Sequence, residues 1–180
     1  MGTRGLPLLA TTFVLAFASI GYAQTSVTLT DTSQTTTLTA NVSEQARVTV
    51  PSGVTFNVNN VASATAASAA SVSVTGIVLA TATKQFRVSL QANAASFTAP
   101  GGATTWSASD VTWNAAAWTN ATGTLGTLSS AAYNTVATCA ADAADCSTTT
   151  LIFTLGAKNT VKRSGNHTLT VVWKFESIGS

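Results

Sequence analysis

The sequence predicts an all-β chain, an antiparallel β-sandwich behind a short N-terminal leader. Three observations lead there. Apolar and polar residues alternate with a period of two wherever the chain is regular. Pro, Gly and Asn clusters punctuate those stretches, and beyond the leader no segment has the spacing of an amphipathic helix. Charged residues are only 8% of the chain, against ~25% in ordinary soluble domains, with Thr, Ser, Ala and Asn in their place. The 46% hydrophobic content separates the chain from disordered sequences.

The leader occupies residues 1–23. Arg4 precedes an apolar run over 6–20, and Gly21-Tyr22-Ala23 places small residues three and one before Gln24. This is the pattern of a secretory signal peptide cleaved between Ala23 and Gln24. The run is short for a membrane span of ~20 residues and no second run follows, so the mature form is expected free of the membrane. Residues 24–180 then make one domain, secreted to the cell surface, on the usual ~100–200 residues per domain. Loss of Arg4 with the leader lowers the formal net charge of +2 by one, too little to suggest nucleic acid as a partner.

Taken in order, Val27 and Leu29 alternate with Thr, as do Leu38, Ala40 and Val42 after a polar gap. Residues 24–38 are either an extended arm or the first strand of the sandwich. Residues 46–50 continue the alternation, and Pro51-Ser52-Gly53 turns the chain before Val54, Phe56 and Val58. Residues 62–70, rich in Ala and Ser without an apolar stripe, read as an irregular connection. A strand begins at Val72 and runs to Leu79. The clearest strand is 84–92, with Phe86, Val88 and Leu90 on one face and Arg87 and Gln91 on the other. A Trp- and Asn-rich section over 106–128 follows. Two strong strands end the chain: one carries Leu151, Phe153 and Leu155, the other Leu169, Val171, Trp173 and Phe175 on one face with Lys174 and Glu176 opposite. Trp173 is expected in the core, and residues 162–166 are expected to form a hairpin between these strands.

Few residues carry chemistry. Cys139 and Cys146, the two cysteines, read as a structural disulfide closing a short loop in an exported protein. Asp142 and Asp145 within that loop are far short of the six to eight oxygens that calcium takes. His167 is the single histidine, with no Cys at ligand spacing and no nucleophile motif in the chain. No cofactor is expected, and the enzyme class has no positive support. Trp106, Trp113 and Trp118 fall within thirteen residues. Large aromatics usually plug a core or a subunit contact, and exposed ones stack on sugar rings; both uses are open for this cluster.

The leader, the strand TLTANVSEQARVTV and the closing segment SGNHTLTVVWKFES together resemble bacterial fimbrial and spore-coat-U-type subunits. The resemblance covers the two ends of the mature chain. It implies an Ig-like sandwich that assembles by donating a strand to its neighbour. The closing segment is also similar to the second motif of WxL wall-binding domains, although here the triplet is Trp173-Lys174-Phe175 and the first motif is missing. Val27 and Leu29 would lie in the donated strand, completing a neighbour's open sheet edge. The expected function is therefore a structural subunit that self-associates or joins other surface subunits. The alternative is a monomeric module binding carbohydrate or wall polymer through its tryptophans.

Overall fold

The computed structural model describes residues 26–30 and 32–179, so the cleavage site at Ala23 and Gln24 lies outside the described residues. The chain divides into two units at Ala40 and Asn41. In the first unit the described residues form neither helix nor strand. Val27, Leu29 and Leu38 are exposed, Leu29 to 93%. Among the described residues the first strand begins at Gln45, and residues 26–30 and 32–38 carry none.

The second unit is built of eleven strands: β1 (Gln45–Thr49), β2 (Thr65–Ala66), β3 (Ala70–Val78), β4 (Gln85–Ala92), β5 (Val111–Trp113), β6 (Ala121–Gly123), β7 (Gly126–Thr127), β8 (Asn134–Cys139), β9 (Asp145–Leu151), β10 (Phe153–Leu155) and β11 (Val171–Ile178). They pair antiparallel in three sheets, ordered β1-β3-β9, β2-β10-β5-β7 and β11-β4-β8-β6. Only Ile152 separates β9 from β10, so the first two sheets run on into each other as one bent layer. The third sheet is the opposite layer. All-β sandwich architecture is thus as the alternation predicts.

Alternation explains which side chains meet between the layers. Val72 and Val74 of β3, Val88 and Leu90 of β4, and Leu151 and Phe153 on the bent layer belong to one buried cluster. On the outer face of the third sheet Arg87 and Glu176 are cross-strand partners, and the guanidinium Nε donates to Glu176 Oε1 at 2.8 Å. The disulfide joins Cys139 on β8 to Cys146 on β9, each 0% exposed. Beyond closing a short loop, it staples the two layers through the core.

Some expectations fail for identifiable reasons. Residues 162–166 are not a hairpin, because β10 and β11 sit in different sheets and the connection crosses between layers. Alternation records which face of a strand is apolar, and it carries no information about the neighbour. The Ala-rich stretch holds the short β2, followed by Ala67 in the core. Trp173 is only partly buried.

The Trp-rich section is held by local polar contacts. A single 3₁₀ turn, Ala108–Asp110, is capped reciprocally by Ser107 and Asp110, with Ser107 N–H donating to Asp110 Oδ2 at 2.7 Å. Lys158 Nζ reaches the same oxygen at 2.7 Å. Burial works against the ionised Asp110 carboxylate, but the Lys158 ammonium and the Ser107 amide outweigh it and hold its pKa below the ordinary value. On β7, Gly126 lies directly opposite Trp113, where a Cβ would collide with the indole.

Candidate functional site

Two segments line a common groove. On one side residues 51–58 alternate as a strand does, with Val54, Phe56 and Val58 half-buried and Thr55 and Asn57 exposed. Yet this segment joins no sheet. Among the described residues its one backbone–backbone hydrogen bond is internal, from Val58 N–H to Phe56 C=O at 3.1 Å. On the other side residues 167–173 run into β11 with His167, Leu169, Val171 and Trp173 half-buried. Strand β11 pairs with β4 on its inner edge, and among the described residues no strand pairs with its outer edge.

The groove between these walls has a volume of about 1050 Å³. Its floor is core: Val111, Leu128, Phe153, Leu155 and Val161 are buried, and Trp106 is 4% exposed. Its walls are apolar residues of strand periodicity that the sandwich covers on one side only. Covering them fully would recover ~25 cal/mol for each Å² of apolar surface removed from water. Unpaired backbone on both walls offers the hydrogen bonds that a further strand needs.

The two ends of the groove differ. Near Glu44 the flanking segments are bridged: Glu44 Oε1 accepts from Ala80 N–H at 2.8 Å, Lys84 Nζ at 2.9 Å and Ser177 Oγ at 3.2 Å. The Ala80 amide and the Lys84 ammonium hold the Glu44 carboxyl below the usual carboxylate range. Glu44 precedes β1, which leads to 51–58, and Ser177 lies past Trp173 near the end of β11. This bridge therefore sits beyond the groove's lining and joins the chain upstream of one wall to the chain downstream of the other, giving the walls opposite directions.

At the other end the rim is residues 162–167. His167 Nδ1 lies 2.7 Å from Thr105 Oγ1 and Nε2 lies 3.1 Å from the Arg163 carbonyl oxygen. A carbonyl only accepts, so in the neutral ring Nε2 carries the proton and the Thr105 hydroxyl donates to Nδ1. The ring meets Trp106 edge-to-face at 5.2 Å, and Trp106 Nε1–H donates to Gly156 C=O at 2.9 Å. His167 therefore ties the rim to the floor. Among the described residues neither ring nitrogen meets a carboxylate, the partner a catalytic histidine uses for orientation.

The tryptophans do not form one platform. Trp106 lies under the groove. Trp113 is 3% exposed, packs against Phe153, and donates its indole N–H to Thr124 C=O at 2.9 Å. Trp118 is half-buried beside Gly123, and its Nε1 has no acceptor among the described residues. Trp173, expected in the core, lines the groove wall and stacks on Phe175 with centroids 6.4 Å apart. Asp145 accepts from Asn120 Nδ2 at 3.0 Å, and among the described residues no group of three His, Cys, Asp or Glu is placed to hold a metal. No helix among them is long and apolar enough to cross a membrane.

Comparison with protein-family models, with curated proteins and with solved structures found no match.

Proposed function

We propose that the protein is a secreted, non-catalytic subunit of a cell-surface assembly, in which the N-terminal arm of one copy fills the groove of the next. The observation that carries this reading is the groove itself. It is a sandwich core open along one line, walled by half-buried Phe56, Leu169 and Trp173 and flanked by the unpaired edge of β11. A strand is the occupant that satisfies apolar walls and open backbone together.

The arm has the matching pattern. Val27 and Leu29 alternate with Ser26, Thr28 and Thr30, and both are exposed. The clasp at Glu44 supports a direction of insertion. A donor whose root belongs to a neighbouring copy meets the bridge beyond the far end of the groove last if its N-terminal tip points toward Glu44 and its root stays at the rim. The donor then runs antiparallel to residues 167–173, the pairing that β11 already makes with β4. The resemblance of the chain's ends to fimbrial and spore-coat-U-type subunits points the same way. The leader and the fully buried disulfide fit export through an oxidising compartment.

Size-exclusion chromatography and negative-stain electron microscopy of the mature chain, with and without residues 25–34, test the reading. Filaments or a concentration-dependent ladder that disappears on deletion are expected. A monomer at every concentration, unchanged by the deletion, would overturn it. The carbohydrate-binding alternative has less to stand on, since Trp106 and Trp113 present no open ring face.

A further inference from the structure

Resting on the strand-donation reading, we propose that Asp31 of the incoming arm fixes the register of the donated strand by pairing with Arg163 and Lys162 on the rim of the receiving groove. The groove has two charged lining residues, Lys162 and Arg163, and both are cationic and exposed. Most other cations of the sandwich already hold a carboxylate: Lys84 has Glu44, Arg87 and Lys174 share Glu176, and Lys158 has Asp110. Lys162 Nζ reaches, among the described residues, only the Asn159 carbonyl, at 3.3 Å. Among the described residues the Arg163 guanidinium meets no acceptor, while its backbone is fixed by the bond from its carbonyl to His167. Among the described residues the rim is a positive lip without a counter-charge.

Asp31 is the one acidic residue before Glu44. It lies outside the described residues, and its part here is read from the sequence. It has the same parity as Val27 and Leu29, so on an extended donor all three side chains project to one face. With the donor antiparallel to β11, Asp31 level with His167 sets Leu29 level with Leu169 and Val27 level with Val171. Sliding the donor two residues deeper would push the carboxylate onto the apolar floor, where it loses water without gaining a partner. Sliding it two residues out would leave Val171 uncovered. The charge acts as a stop at the mouth of an otherwise uniform apolar slot.

The test is a charge swap in the full mature chain, read by sedimentation equilibrium. Asp31→Lys and Arg163→Glu are each expected to weaken self-association about tenfold at low salt, and the double variant to recover to within about twofold. Leu29→Asp is the control on the underlying reading and is expected to abolish association. If Leu29→Asp abolishes it while the single charge variants do nothing, or the double variant fails to recover, the register proposal is overturned and strand donation stands. If Leu29→Asp has no effect, both fall. Thermal melts followed by circular dichroism check that each variant folds, and Lys162→Glu replaces Arg163→Glu should that one not.

Discussion

Glu44 Oε1 lies 3.2 Å from Ser177 Oγ, across 133 residues of sequence, and 2.9 Å from Lys84 Nζ. One carboxylate oxygen thereby ties the residue before β1 to the end of β11 and to the root of β4. The clasp is exposed, so its strength depends on the charge state of Glu44.

Acid should loosen it. The folded protein holds the Glu44 carboxyl below its ordinary value, through the Ala80 amide first and then Lys84. A carboxyl with a depressed folded pKa contributes stability above its unfolded value of ~4.3, and that contribution is lost as pH falls through the folded value. The melting temperature of the wild type should fall below about pH 4.3, and Glu44→Gln should flatten part of that fall. Glu176, also lowered by Lys174 and Arg87, accounts for a remaining slope. Melts at pH 3 to 7 decide it: an identical slope in Glu44→Gln would remove the clasp from the account.

Groove and core residues should separate by phenotype. Leu90, 0% exposed between the layers, should cost ~2–5 kcal/mol on truncation to Ala, with unfolding of the monomer the affected quantity. Phe56→Ser and Leu169→Ser, on the half-buried walls, should change monomer stability far less and reduce self-association. Denaturant titration paired with sedimentation distinguishes them, and equal stability losses at both sets would mean that the walls are ordinary core.

Replacing Cys139 and Cys146 together by Ala should lower stability by about 2–3 kcal/mol, the entropy expected for a short closed loop. The measurement is the denaturant midpoint with and without reductant. The wild-type midpoint under reductant should approach that of the double variant.

Gly126→Ala should destabilise by roughly 1–3 kcal/mol, because the added methyl meets the Trp113 indole across the β5–β7 pair. Trp113 fluorescence should shift with it as the ring is displaced. A neutral outcome would require β7 to move away freely.

Alternation made the strands legible. Phe86, Val88 and Leu90 point inward as their spacing predicts, as do Leu151, Phe153 and Leu155. The cysteine pair was legible from compartment and spacing, although its role between layers was not. What spacing cannot carry is the identity of the neighbour. Val54, Phe56 and Val58 read as a strand in sequence and keep its alternating burial, but among the described residues no strand pairs with them. Trp173 has the same inward parity as a core residue and faces a groove. A missing neighbour leaves no mark on a period-two pattern, so the site had to be found in space.

The placement of the disulfide has a kinetic meaning. Both sulfur-bearing residues are fully shielded, so a thiol reagent meets the bond only in molecules whose layers have parted. The rate at which a strong reductant cleaves it at saturation is then the rate at which the sandwich opens, and the cross-link serves as a clock for that opening.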